Sequence, residues 1–493
     1  MKSKVLSSFL YLYLFVATLM TLYIYGIKIT PNGDNIEHLN TSWLIWQGYI
    51  PYKDFFQHHN PLLWYIFSPL VALLINNFNI FAIFNIISIV AYIGIIFAQG
   101  VILKLNKSNG LSILFSFAIF ISSYSILLAT DYRPDTFMYL FVFLGMFLQF
   151  KYREKHQIQS LVISFLFYFI SFMFTQKAIF CFLVPGCAIL YDIVKKQAPI
   201  IHIAYALVLP ILLFLLFFSY LYYNDALAIY FKSNFYFNTK IPEIFGETRI
   251  SLPPMEYFEF YVFVPLGAIA SIYFLFNKGT YIEKFFSYIY IEEAILRIFY
   301  FSAFLHYVVF WLMVSVILTV MLFSKLNKIY QITGMLGVIY LIIMCFYNIE
   351  MAYKRELEDS KYIKGYELAF DVLNPCDYAI NGYYSVYNLK AKSPGYYSIL
   401  LGQIDVLGEK VGIASRDNIN KLIEEKKPKL ISGEIYWDTY WEQRGRRVPA
   451  HIPDKNIIKK YYYPSKAGSL FILKPEYHKH NCIQENGKWR YAD

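Results

Sequence analysis

Asp34, Glu37 and His38 stand in the run Pro31-Asn-Gly-Asp34-Asn-Ile-Glu37-His38, just beyond the first apolar stretch of the chain. Spacings of three and four put all three on one side of a helix. A carboxylate partly withdrawn from water has its pKa raised and can take a proton from a hydroxyl. Asp34-x-x-Glu37 is also close to a helix-start capping pair; Glu37 can cap while Asp34 acts as base. His58 and His59 follow, in Gln57-His58-His59-Asn60-Pro61. One of them with Glu37 or Asp34 could complete a divalent-metal site. Adjacent histidines, however, point apart on a helix or strand and lack the i, i+4 spacing of a helical metal pair. A divalent cation is admitted but not favoured, and no cofactor is expected.

Two further polar sets interrupt apolar sequence. Thr130-Asp131-Tyr-Arg133-Pro134-Asp135 reads as a turn, because Pro134 keeps Arg133 extended. Asp135 then falls near a helix N-terminus, where the dipole favours a negative charge. Thr175-Gln176-Lys177 reads as a tight apolar hairpin. A lysine there must snorkel to headgroups or meet an anion. Arg133 and Lys177 together would supply positive charge to a phosphate leaving group.

The elements that carry these residues are membrane helices. The chain has 493 residues, of which 58% are hydrophobic and only 16% charged, against roughly 25% in soluble domains. Candidate spans are 5–27, 80–103, 111–129, 137–150, 160–174, 177–193, 202–223, 258–276, 301–323 and 329–348. The first is too long for a signal-peptide core and is read as an uncleaved helix. Basic clusters at Lys104–Lys107, Lys151–Lys155, Lys195-Lys196 and Lys325–Lys328 fall where cytoplasmic turns are required if the N-terminus is inside. Tyr281–Tyr300 carries five charges, costly in lipid unless they face a cavity; it is counted as an eleventh crossing because the sidedness of Lys325 demands one. Pro61–Ile75 is too short to span and is read as interfacial. Much of the net charge of +10 sits at the span ends, so it is not read as a nucleic-acid footprint.

Of the 78 charged residues, 42 lie in 349–493, which sets a boundary near Asn348 between a membrane domain, 1–348, and a soluble domain, 349–493. Leu430-Ile-Ser and Ser469–Leu473 read as buried strands and Arg416–Lys427 as an amphipathic helix. The fold class is therefore a polytopic α-helical membrane protein of about 11 transmembrane helices with a small C-terminal α/β extracytoplasmic domain. Cys376 and Cys482 are the only cysteines of that tail. An oxidising compartment would allow them to pair.

The carboxylate- and histidine-rich first loop, running through Trp46-Gln-Gly-Tyr-Ile-Pro-Tyr52 to Asn60-Pro61-Leu-Leu-Trp-Tyr65, resembles that of GT-C glycosyltransferases. The branch is that of protein O-mannosyltransferases and lipid A aminoarabinose transferases. Arg133-Pro134-Asp135 and Gln176-Lys177 are similar to further features of this branch. The resemblance covers roughly residues 1–350 in arrangement. It implies that Asp34 is the catalytic carboxylate, that Arg133 and Lys177 face the donor lipid phosphate, and that Asp131 or Asp135, with Asp135 favoured, helps assemble the site. It also implies juxtamembrane helices in the first loop. Asn60 departs from the aminoarabinose transferases, which carry a lysine there, and weakens any claim to the same sugar or acceptor.

The expected function is inverting transfer of a sugar from a polyprenyl-phosphate donor to a lipid, glycan or protein acceptor. The enzyme would lie in a bacterial inner membrane, with site and tail outside. The sequence lacks Asp-x-Asp, a P-loop and Gly-x-Gly-x-x-Gly, as suits a lipid-linked rather than a nucleotide-linked donor. The alternatives are an O-antigen polymerase or ligase, or a transporter or flippase. Polar residues gathered at one face, without repeat symmetry, disfavour the transporter.

Overall fold

A computed structural model describes residues 2–23, 33–122, 131–240, 258–299, 308–326, 343, 347, 364–381, 388–397, 404–432, 453–465, 470–485 and 488–492. The chain is mostly helical. In order come α1 (Lys2–Thr21), α2 (Gly33–Trp46), α3 (Leu62–Leu74), α4 (Ile80–Leu105), α5 (Gly110–Ser122), α6 (Pro134–Lys155), α7 (Ile158–Phe174), α8 (Leu183–Val194), α9 (Ile200–Tyr223), α10 (Leu227–Phe231), α11 (Phe258–Phe276), α12 (Tyr281–Phe299) and α13 (Val309–Lys325). A 3₁₀ segment, Gln176–Phe182, leads into α8. The last expected span, 329–348, lies outside the described residues but for Ile343 and Tyr347, as do 24–27 of the first.

Among the described residues four stretches are long and apolar enough to cross a membrane: Ile80–Leu105, Gln176–Val194, Ile200–Tyr223 and Glu259–Phe276. Their composition marks an integral membrane protein. α9 is apolar all round and leaves Ile200, Val208, Leu212 and Leu216 half or more exposed, as a lipid-facing helix does. α6 is longer than the expected 137–150, at 22 residues. Its helix runs on through Lys151–Lys155 and stops at His156, which turns left-handed at φ 52°.

The chain folds as two units, each gathered from three separate stretches of sequence. The first joins Met1–Ile29, Phe84–Leu215 and Thr248–Lys354. Within it α6 and α7 form an antiparallel hairpin. Gly145 permits the close approach, since a Cβ there would lie 2.6 Å from a Tyr168 ring carbon. Ser164 Oγ donates to Gly145 O at 2.7 Å and Tyr168 Oη to Gln149 Oε1 at 2.7 Å. α11 and α13 approach likewise at Gly267, where a Cβ would stand 2.9 Å from Ser315 Cα. Three of the five charges of α12 are answered by protein side chains. Glu283 meets Lys325 at 2.7 Å and Asn106 at 3.2 Å, and Glu293 pairs with Arg297 at 2.9 Å.

The second unit joins Thr30–Ile83, Leu216–Glu247 and Arg355–Asp493. Its four-stranded sheet has the order β1-β2-β4-β3, with β1 (Ala379–Ile380) parallel to β2 (Leu430–Ser432). β4 (Leu470–Leu473) runs antiparallel to β2 and to β3 (Tyr462–Pro464). Ile380, Ile431 and Leu473 pack against Ile419, Ile423 and Ile458 of two short helices. The helix expected over Arg416–Lys427 is shorter, Ile419–Lys426; the Asn418 side chain caps its start and Lys427 ends it at φ 46°. A separate hairpin, β5 (Cys482–Glu485) and β6 (Lys488–Tyr491), is tied back by the Cys376–Cys482 disulfide.

Candidate active site

In the first unit the hairpin returns the chain to its starting level. Phe174, the last residue of α7, stacks on Phe137 at 5.4 Å and Phe141 at 5.7 Å. Arg133 is the extended residue before the helix (φ −131°, ψ 151°), with Pro134 and Asp135 in the first turn. Thr175 is extended too (φ −156°, ψ 139°), and Lys177 lies in the first turn of the 3₁₀ segment after it. Three residues forecast from separate motifs thus meet. Lys177 Nζ donates to Asp135 Oδ1 at 3.2 Å, and Arg133 Nε stands 3.8 Å from Oδ2. One carboxylate faces two cations. Side-chain exposure is 8% at Asp135 and 16% at both cations. That leaves the cations an accessible edge in an environment where water screens weakly. Asp131 and Gln176 are buried beside this group in sequence. Tyr132 is fully buried, edge-on to Phe84 at 4.7 Å, which fixes the turn from within.

In the second unit α2 presents Asp34 and Glu37 half-buried and His38 buried. Glu37 Oε1 accepts from Gln57 Nε2 at 3.3 Å, and the same amide reaches Thr41 Oγ1 at 2.7 Å. His38 Nδ1 accepts from the Trp64 indole at 3.2 Å, so its Nε2 carries the proton when the ring is neutral. His58 and His59 do not point apart. Their ring centroids lie 4.2 Å from each other, and His59 lies 5.8 Å from His38. The cause is local: residues 56–60 form neither helix nor strand, so neither periodicity governs them. The loop is held by buried rings. Tyr52, at a left-handed φ of 68°, donates its phenol to His59 O at 2.5 Å and packs edge-on against Tyr230. Burial pushes the Tyr52 phenol well above its usual pKa, so it remains a neutral donor. Asn60 accepts from Tyr230 Oη at 2.8 Å in full burial, a place that suits a neutral amide.

Sequence reasoning missed Gln57, Trp64 and Asn40. The Asn40 amide nitrogen reaches the carbonyls of Asn388, Ala391 and Leu389 at 2.6, 2.9 and 3.2 Å. Trp43 adds a bond to Lys390 O at 2.9 Å. The helix bearing Asp34 is therefore stitched to the tail, more than 340 residues away in sequence. Only the polar residues on an otherwise apolar helical face hinted at it. Among the described residues no three His, Cys, Asp or Glu side chains gather as a metal-ion site.

No family model matches the sequence, and no curated protein does. Solved structures do. The oligosaccharyltransferase of Archaeoglobus fulgidus, determined with zinc and sulfate, aligns over 94% of this chain and 73% of its own, at 10% identity and a TM-score of 0.54. ArnT from Cupriavidus metallidurans, bound to undecaprenyl phosphate, aligns over 95% of this chain and 98% of its own, at 10% identity and 0.55. Both are GT-C glycosyltransferases. This chain has the GT-C fold. Identity this low carries the fold and nothing finer, so the resemblance read from three short motifs is matched along nearly the whole chain in architecture.

Proposed function

We propose that the protein is an inverting glycosyltransferase that takes a sugar from a polyprenyl-phosphate donor. The observation that carries this reading is the Arg133–Asp135–Lys177 cluster at the ends of apolar helices. Asp135 holds two cations in place, and a lipid phosphate meets complementary charge there. Undecaprenyl phosphate, the ligand of the ArnT neighbour, has the chemistry this cluster suits. Asp34 acts as base on the acceptor hydroxyl. The oxygen attacks the anomeric carbon, the proton passes to Asp34, and the bond to the phosphate breaks toward Arg133 and Lys177. One direct displacement inverts the configuration.

Eleven crossings, an inside N-terminus and an extracytoplasmic tail complete the proposal. The membrane domain would end near Asn348, with 349–493 as a soluble α/β domain. The Cys376–Cys482 disulfide supports that sidedness, because such bonds persist in oxidising compartments. The acceptor is a lipid, glycan or protein of the envelope.

Arg133→Ala and Lys177→Met test the reading. Initial rates in nanodiscs, measured against donor-lipid concentration, should require at least about tenfold more donor in each, the effect of losing a charge-assisted contact. An unchanged donor response in both would reduce them to a turn residue and a snorkelling lysine.

A further inference from the structure

The second unit contains a cleft that the transfer chemistry does not use. It is lined by Gln47, Tyr49, Tyr378, Lys390, Lys392 and Trp489, opens to solvent, and has a volume of about 20 Å³, which admits the oxygens of one small anionic group. Lys392 Nζ stands 4.2 Å from the centre of the Tyr49 ring and Lys488 Nζ 4.5 Å from the same ring. Two cations thus converge on one aromatic ring. Lys488 has Asp54 at 3.8 Å, and Lys390 donates to Phe370 O at 2.9 Å. Asp377 also lines the cleft, but its oxygens accept from Asn374 N and the Tyr491 phenol. Lysines 390, 392 and 488 against Asp54 and Asp377 leave a net positive charge. Burial lowers the pKa of Lys392, and Lys488 and Lys426 lower it further against the pull of Asp54; a bound anion would reverse that.

Gln47 supplies the second, independent observation. It is 2% exposed, and both its amide nitrogen and its oxygen are buried without a hydrogen-bond partner among the described residues. A buried amide left unmet is costly and calls for a polar ligand. The amide can donate to an oxyanion and accept from a hydroxyl beside it.

We propose that this cleft binds an oxyanion, a phosphate or carboxylate, between Gln47 and Lys392. Assigning that anion to a saccharide of the acceptor rests on the transfer reading; the anion site itself does not. The Cys376–Cys482 bond builds the wall, since Cys376 lines the cleft and Cys482 begins the hairpin that carries Trp489.

The test is tryptophan fluorescence of the full-length protein in nanodiscs, titrated with inorganic phosphate and with glucose 6-phosphate; Trp489→Phe identifies the local signal. A saturable signal should appear for at least one probe. It should weaken tenfold or more in Lys392→Met, and in Gln47→Glu, which places a carboxylate in the cleft. Tighter binding of glucose 6-phosphate assigns the site to a saccharide; tighter binding of inorganic phosphate assigns it to the free ion. Asp34→Asn should bind like the wild type, so failure of the transfer mechanism would leave this result standing. Absence of a Trp489-dependent signal with both probes, or unchanged binding in both variants, would overturn the proposal.

Discussion

At the scale of single residues, function turns on which polar side chains act and which only hold. Asp34→Asn keeps the shape and any capping bond of the carboxylate but removes its basicity. Transfer by the purified variant should fall by about 10²-fold or more, the range of lost general-base catalysis, with normal expression; near-wild-type rates would remove Asp34 from the mechanism. Arg133, Asp135 and Lys177 are legible one by one, as a pre-proline turn, a helix-start acid and a lysine in an apolar hairpin. Their meeting at 3.2 and 3.8 Å is not, because it depends on the register of α6 against α7, set by Gly145 and Tyr168. His58 and His59 escape a reading by periodicity altogether. They lie in a stretch whose buried tyrosine and proline neighbours give it none.

At the scale of elements, the sequence marks helix ends better than helix roles. Three of the four basic turns used for sidedness hold or adjoin a left-handed residue, with φ of 59° at Lys107, 52° at His156 and 56° at Lys196. Glycine or asparagine would fill such positions at least cost. Lys107 and Lys196 accept that backbone strain, and a lysine at a helix C-terminus suits its dipole. α2 shows what a local reading loses. Its polar face is visible in the sequence, but the partners of Asn40 are tail carbonyls at 388–391. Asn40→Leu should therefore destabilise this unit by about 1–3 kcal/mol for each buried group left unmet. The expected result is a lower thermal midpoint, together with weaker protection of amides 388–391 in hydrogen exchange. Unchanged exchange there would mean that the helix is held elsewhere. β2 and β4 are readable as apolar β-branched and aromatic runs; β1, two residues long, carries too little pattern to read.

At the scale of the whole molecule, composition and charge spacing suffice for a membrane protein, and three motifs point to the GT-C fold that the architecture bears. The pairing of Cys376 with Cys482 is open from compartment reasoning alone, because spacing along the chain says nothing of which loop meets which hairpin. Sidedness follows from the proposed eleven crossings and can be checked with single cysteines. Cys181, Cys187 and Cys345 would be replaced and the bonded pair kept. Cysteine at Lys53 or Lys364 should react with an impermeant maleimide from outside, and at Lys195 only after the membrane is broken. All three positions are exposed. Labelling of Lys53 and Lys364 positions from opposite sides would break the crossing count. Sugar transfer from a lipid-linked donor leaves its trace in the envelope, where mass spectrometry of glycans and polyprenyl lipids reads both product and unused donor. Strains carrying the wild-type gene, no gene, or Asp34→Asn would be compared. The last two are expected to lose one sugar-sized mass increment from an envelope component and to accumulate a polyprenyl-phosphate sugar. Identical glycan and lipid profiles in all three strains would rule such transfer out.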